Sequence, residues 1–505
     1  MNSLPHRLDT LTAERLQGMR RGVEKESLRV LPHNGLAVTP HPVGLGSALT
    51  HPHITTDYSE SQLELITGVH PDAVACEREL TEIHQFVYRH IGDEMLWVGS
   101  MPCGLPADEN IPIGSYGSSN VGRAKSVYRM GLGLRYGRRM QTISGIHYNW
   151  SIPGLSNDEY FALIRNFRRH SFLLLALFGA SPAICTSFVE GREHELKKLS
   201  DYTLYLPHAT SLRMGRLGYQ SDAQAALAVS YNSLESYAGS LHGALTRPHP
   251  PYERIGVRNL GGEYNQLATS LLQIENEFYG TIRPKRVIHP GERPLHALRE
   301  RGVEYVEVRC MDLDPFVPVG IQADTMRVID VFLLHCLLSD SPPDSPQELA
   351  SLATNQHLTA ARGREPGLKL ERNGESVLLK DWADDLLRQC RPIAERVGAT
   401  LNDPRYVQAL DEVQARLAAP QTLPSARVLE AMQRDFESSY TRFVRAQSTS
   451  TRERLMSLPY PAEVQARFQA MAAASADKQC QIEAGDTMPF EIYRQQYLAA
   501  ERLGR

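Results

Sequence analysis

Glu24 and Glu26 stand two residues apart in GVEKESLRV, residues 22–30, beside Leu28 and Val30. In an extended strand successive side chains alternate, so Gly22, Glu24, Glu26, Leu28 and Val30 share one face and Val23, Lys25, Ser27 and Arg29 the other. Taken alone, such a strand most often turns its charges to water. Three further segments repeat the pattern. Gln62, Glu64 and Ile66 share a face in QLELIT, just after Asp57 in HITTDYSE. Gln141, Ile143, Gly145, His147, Asn149 and Ser151 share parity in QTISGIHYNWS, and Val303, Tyr305, Glu307 and Arg309 do so in GVEYVEVR. Carboxylates, an imidazole and a guanidinium on partly apolar faces are groups that suit metal ions and phosphates.

If these faces meet on one concave surface of an antiparallel sheet, each pair of carboxylates about 4 Å apart repels by roughly 4 kcal/mol at an effective dielectric near 20. Several such pairs rival the whole stability of a domain, about 5 to 15 kcal/mol. Something cationic must then sit among them. Hard oxygens with a single histidine suit Mg²⁺ or Mn²⁺ better than zinc, and Mg²⁺ held by a few carboxylates usually also holds substrate phosphates. The pattern therefore points to ATP chemistry without the usual loop. In GSSNVGRAKS, residues 117–126, Arg123 follows the second glycine where a P-loop requires lysine. Neither H-E-x-x-H nor G-x-S-x-G occurs.

The elements that must position these groups intermingle strand-like alternation with short helical runs from about residue 20 to 344, which indicates an α+β body. The segment SDSPPDSPQELASLA breaks that pattern. Ser345 is placed as an N-cap, Pro346 as the first helical residue, and Glu348 as the partner that completes a capping box. From residue 345 to 505 Ala, Leu, Arg, Glu and Gln dominate with helical periodicity, so a helical region packed on the 1–344 body is expected. The apolar run from Ser171 to Cys185 is too short and too interrupted by Gly179 and Pro182 to span a bilayer, and is expected as a buried helix. A net charge of −4 over 505 residues gives no basis for nucleic acid or membrane as partner. No secretory leader is recognisable, and seven scattered cysteines without C-x-x-C form no disulfide framework, so the expected location is cytoplasmic.

Longer stretches carry a resemblance. GVEKESLRV, ALTHPHITTDYSESQLELIT, MLWVGSMPCGLP, YGSSNVGRAKSVYRMGL, RYGRRMQTISGIHYNWS, LFGASPAIC, YLPHATSLRMGRLGY, LLQIENEFYGTIRPKR and GVEYVEVRCMDLDPFVPVG follow one another as in proteobacterial glutamate-cysteine ligases, and DTMPFEIY extends the likeness toward the end. The resemblance implies a glutamine-synthetase-like fold, with a curved antiparallel sheet forming an active-site funnel surrounded by helices. It also implies a reaction: ATP phosphorylates the side-chain carboxylate of glutamate, and the amine of cysteine attacks the acyl phosphate, giving γ-glutamylcysteine, ADP and phosphate. By that resemblance Glu24, Glu26, Glu64, His147 and Glu307 are metal ligands, with Asp57 binding metal or the incoming amine. Arg309 faces the transferring phosphoryl group, its alternative being a structural salt bridge with Glu307, and Asn149 lies near the nucleotide. Tyr128, Arg129 and Gln141 correspond to the glutamate side of the site. Arg213, Tyr219 and Tyr279, with Tyr58 and Leu132, correspond to the cysteine pocket. Tyr58 replaces a phenylalanine of a well-known member. In IRPKR, Arg283 or Lys285 can reach phosphates, and a solvated basic turn is the alternative. The family further suggests a monomer restrained by glutathione.

Three other readings compete. The first is a ligase of the same fold group that uses a different amine, the second a guanidine kinase, and the third a binding protein that has lost its chemistry. Glu or Asp at each acidic position, together with Arg309, argues against the last.

Overall fold

The computed structural model describes residues 7–33, 35–218, 222–225 and 227–504. Its centre is a seven-stranded antiparallel sheet made of β1 (Arg20–Val30), β2 (Ile54–Thr56), β3 (Gln62–Ile66), β4 (Met95–Leu96), β5 (Ile146–Ser151), β9 (Ile282–Lys285) and β10 (Tyr305–Met311). Between β5 and β9 in the chain lie β6 (Ala183–Cys185), β7 (Lys197–Ser200) and β8 (Thr203–Tyr205), which form a small separate sheet. The central order is β2-β3-β1-β5-β10-β9, with β4 on the far end of β1. The central neighbours β1, β5 and β10 are far apart in sequence, so the register does the work of bringing their polar residues together.

That register sets Glu26 opposite Glu64, Glu24 opposite His147, Gly22 opposite Asn149, Asn149 opposite Glu307, and Glu307 opposite Arg283. One face of the sheet therefore reads, from strand to strand, as a band of ionisable side chains. The opposite face, with Val23, Leu63, Leu65, Ile146, Tyr148, Trp150, Val306 and Val308, belongs to the main hydrophobic core beneath the helices Ala73–Tyr88, Asn157–His170 and Ala323–Leu338. Leu28 and Val30 share parity with Glu24 and Glu26 but lie further along β1. There a second apolar cluster with Trp97, Phe443 and Tyr440 covers them. An eleven-residue strand, about 36 Å long at 3.3 Å per residue, thus serves two environments on one face.

Local signals set the surrounding helices. Asp72, Ser119 and Ser156 each accept a backbone N–H from the first turn of a helix, and Ser156 and Glu159 form a full capping box. At Ser345 the cap forms as expected and the helix Pro346–Arg362 begins there, but the box does not close: Glu348 turns its carboxylate to Arg169, at 2.6 and 3.0 Å. An ion pair outcompetes a backbone N–H for that side chain. The run from Ser171 to Cys185 is also not one helix. A fully buried helix Phe172–Phe178 ends at Gly179, and Ala183–Cys185 continues as β6. The region after 345 is mainly helical but contains the hairpin β11 (Lys369–Arg372) and β12 (Glu375–Leu378), whose Asn373 and Gly374 both adopt positive φ, at 54° and 82°. No helix among the described residues is long and apolar enough to cross a membrane.

One buried network ties a late helix to the back of the sheet. Asp330, wholly enclosed, accepts from Arg21 on β1 (2.9 Å), Tyr148 on β5 (2.6 Å) and Tyr406 of the helix Arg405–Ala418 (3.0 Å). Asp330→Ala leaves the Arg21 guanidinium buried without its anion, a loss expected to cost about 3–5 kcal/mol. Urea denaturation of the variant should show a correspondingly lower midpoint with an unchanged slope.

Candidate active site

The band of ionisable residues floors a cavity of about 390 Å³. Glu24, Glu64, His147, Glu307 and Arg309 line it from the sheet, Asp57 and Tyr58 from the segment after β2, and Tyr128, Arg129 and Leu132 from the helix Asn120–Tyr136. Gln141, Tyr279, Arg283 and Lys285 complete the set of sequence-expected residues that reach it. Gln141 does so from the end of the short helix Arg138–Gln141, not from an extension of β5, which starts only at Ile146; its amide donates to the Tyr279 hydroxyl at 2.9 Å.

Three expected residues lie behind this lining. Glu26 is buried and accepts from the Gly145 N–H at 2.6 Å. Asn149 donates to Glu24 at 2.8 Å. Arg213 donates to the Arg309 carbonyl at 2.9 Å and sits 3.8 Å from Asp312. The Arg213 fork fills the space a side chain at 145 would need: a Cβ there would meet its Nη2 at 2.0 Å, so only glycine allows the approach. Arg213, expected from the resemblance at the cysteine pocket, is not among the residues that line the cavity. Tyr219 lies outside the described residues.

His147 is the hub of the cluster. Its Nδ1 is 3.1 Å from Glu24 and 3.9 Å from Glu307, and its Nε2 is 3.7 Å from Glu26. Glu24, Glu64 and His147 each offer a ligand atom within 4.8 Å of the others, a grouping able to hold a metal ion. Arg309 donates to Glu307 at 2.9 Å and lies 3.4 Å from the His147 Nδ1. A bulge in β10 between Val308 and Met311 breaks strict alternation just where Arg309 stands, yet its side chain still reaches the cavity.

The electrostatics divide the carboxylates into two groups. Burial drives Glu307 up, but Lys285, Arg309, His147 and Arg283 outweigh it and hold that carboxyl well below its usual range. Likewise Glu24 is lowered: burial opposes ionisation, and the His147 hydrogen bond and charge prevail over repulsion from Glu307. Glu64 goes the other way, well above its ordinary value, through burial reinforced by Glu24, Asp57 and Glu26. Burial, with Asp57, pushes Glu26 up to about 8. The protein therefore supplies its own cations around Glu307 and leaves Glu64 and Glu26 short of positive charge.

Arg283 and Lys285, which the sequence offered either as phosphate-reaching groups or as a solvated basic turn, both line the cavity. Arg283 and Lys285 sit on a strand, with Arg283 buried and donating to the Asn276 and Phe278 carbonyls, so a solvated turn is ruled out; Lys285 is 3.4 Å from Glu307. Other lining residues have no place in the sequence reading: Lys125 reaches the cavity from within the segment 117–126, which was weighed only as a P-loop. Tyr493 and Tyr497, from the helix Phe490–Leu498, also reach the cavity; Tyr493 closes the DTMPFEIY stretch, which carries no site role in the sequence reading.

An antiparallel sheet presenting clustered carboxylates, a histidine and a cationic flank to one cavity is the kind of site that suits an enzyme of anionic substrates, with a grouping able to hold a metal ion. The comparisons narrow this to a family. A profile for glutamate-cysteine ligase matches residues 7–359. The chain is 46% identical to the glutamate-cysteine ligase of Alcanivorax borkumensis over 98% of its own length and 99% of the relative's, and 47% identical to that of Pseudomonas putida over 95% and 94%. The crystal structure of a glutamate-cysteine ligase from Francisella tularensis in complex with AMP superposes with a TM-score of 0.91 at 36% identity, covering 96% of this chain and 98% of that one. The chain belongs to the glutamate-cysteine ligase family.

Proposed function

We propose that the protein joins the γ-carboxylate of L-glutamate to the amine of L-cysteine, with conversion of ATP to ADP and phosphate, as the first step of glutathione synthesis. The observation that carries this reading is the division of charge at the cavity: carboxylates short of cations at Glu64 and Glu26 stand beside a cationic flank of Arg309 and Lys285. The finer fold reading, a glutamine-synthetase-like funnel built by residues 1–344 with the helical 345–505 region packed on it, agrees with this arrangement.

In the first half-reaction a γ-carboxylate oxygen of glutamate attacks the terminal phosphorus of ATP, and ADP leaves. Arg309 and Lys285 are assigned to hold the phosphoryl oxygens, Arg309 through its planar fork. In the second, cysteine loses a proton from its ammonium group and the amine attacks the acyl carbon. The C–O bond to phosphate then breaks, giving γ-glutamylcysteine and inorganic phosphate. Tyr128 and Arg129 are assigned to glutamate, and Tyr58, Leu132 and Tyr279 to cysteine, with Gln141 at the junction through its bond to Tyr279. Asp57 is assigned to metal or to the cysteine amine, and Asn149 to the nucleotide side through Glu24.

Glu24, Glu26, Glu64, His147 and Glu307 form a hard donor set that fits Mg²⁺ or Mn²⁺, and the excess negative charge at Glu64 and Glu26 is the structural sign of that fit. Divalent ions bound there would neutralise the phosphate oxygens during transfer. A linkage follows. A carboxyl raised in the folded state contributes stability that is whole below its unfolded value near 4.5 and is lost as pH rises, for Glu26 through about 8. Ion binding must expel such protons. The rise in melting temperature caused by Mg²⁺ should therefore grow between pH 6 and 8, with proton release measurable at pH 7 in weak buffer.

The chain is further proposed to act as a cytoplasmic monomer. Glutathione contains the γ-glutamylcysteine unit of the product and is the expected competing inhibitor. Coupled ADP release tests the activity: it should require glutamate and be fastest with cysteine. Release indifferent to glutamate overturns the reading, and faster turnover with another amine favours the alternative acceptor.

A further inference from the structure

We infer that Lys125 receives the α-carboxylate of the glutamate substrate, an assignment that rests on the ligase reaction proposed above. On the helix Asn120–Tyr136 the residues Val121, Ala124, Lys125, Tyr128, Arg129 and Leu132 all line the cavity. Their spacing of three and four puts them on one helical face. Among the described residues the Lys125 ammonium makes no hydrogen bond and no ion pair; its recorded contact is the Tyr116 ring, 4.8 Å from the centroid. Burial, with the neighbouring Arg129 cation, pushes it down to about 8 against the pull of Glu64.

The other cations of the cavity are engaged. Arg129 donates to the backbone oxygens of Asp57, Lys125 and Thr56. Arg309 and Lys285 pair with Glu307, and Arg283 donates to two carbonyls. A half-buried ammonium facing a cavity with no protein anion bound to it gains from a ligand that supplies one. The substrates offer three kinds of anion. Triphosphate is served by Lys285 and Arg309 on the Glu307 side, whereas the charges that act on Lys125 are Arg129 and Glu64. The proposed cysteine end at Leu132 lies seven residues along the helix, roughly 10 Å away at 1.5 Å per residue. A glutamate whose γ-carboxylate meets the Glu24, Glu64 and His147 cluster has its α-carboxylate a few ångströms away, where Lys125 and Arg129 stand. That carboxylate does not react, so its binding energy fixes the pose of the one that does.

The test compares wild type with Lys125→Met and Lys125→Arg, using glutamate and 4-aminobutyrate, which keeps the reacting carboxylate and lacks the other. Where 4-aminobutyrate turns over too slowly, its inhibition constant against glutamate serves. Lys125→Met should lose about 10- to 100-fold in kcat/KM for glutamate and leave 4-aminobutyrate unchanged, so that the preference between them collapses. Lys125→Arg should keep part of it. Preference for cysteine over cysteamine and the KM for ATP should stay within about twofold of wild type, as expected where the lost charge-assisted bond touches neither ligand. An intact preference for glutamate over 4-aminobutyrate overturns the inference, as does collapse of the cysteine preference or a raised KM for ATP in its place. If the Met variant melts early, the Arg variant decides: a preference equal to wild type with an altered KM for ATP counts against the inference. Wild-type protein that releases no ADP with glutamate would instead sink the ligase reading.

Discussion

Glu64→Gln is expected to lower kcat roughly 10²- to 10³-fold while raising, not lowering, the melting temperature of the ion-free protein. The two halves have one cause. Glu64 is opposite Glu26 in the register and is forced well above its normal titration range by burial and by Glu24, Asp57 and Glu26. An amide of the same shape removes that strain from the empty site. It also removes a hard anionic ligand, and with it part of the charge that would hold a divalent ion near the phosphates. A third measurement separates this from a packing defect: the shift in melting temperature produced by Mg²⁺ should shrink in the variant. Normal turnover would take Glu64 out of the metal site, and a lowered ion-free melting temperature would make its carboxylate a structural asset.

Much of this site was legible because strand parity is a strict rule. Glu24 and Glu26, Glu64, His147 and Asn149, and Glu307 were each placed on a common face of their own strand by counting in twos, and the register then joined those faces. Counting failed where the backbone stopped being extended. Gln141 and Ile143 share parity with His147, but the chain is helical through Gln141 and β5 begins five residues later. At Arg309 a bulge intervenes, and the side chain reached the cavity despite it. Depth was not legible at all. Whether Glu26, Asn149 and Arg213 would line the cavity or support it depends on what fills the space in front of them, as Gly145 and Arg213 show. The hairpin at Asn373 and Gly374 was missed for a different reason: it is short and lies within a region whose composition is helical.

Arg309 carries the second large effect. Arg309→Lys should reduce kcat about 10³-fold, some 4 kcal/mol of barrier, with the KM values for glutamate and cysteine nearly unchanged. Charge is preserved in this substitution, so the loss tests geometry. The guanidinium lies 2.9 Å from Glu307 and 3.4 Å from the His147 Nδ1, and its planar fork can hold Glu307 with one nitrogen and still present others to a phosphoryl group. A lysine ammonium drawn to Glu307 has no such second edge. The alternative, that Arg309 only neutralises Glu307, gives a different result: lysine would serve nearly as well, because Glu307 already has Lys285 and Arg283 as further cations. Single-turnover ADP formation, with glutamate and ATP but no cysteine, places the defect. If Arg309 acts on phosphoryl transfer, this step slows as much as the overall reaction. If ADP forms at the wild-type rate and only product formation slows, Arg309 acts on the attack by cysteine, and the phosphoryl role assigned to it is wrong.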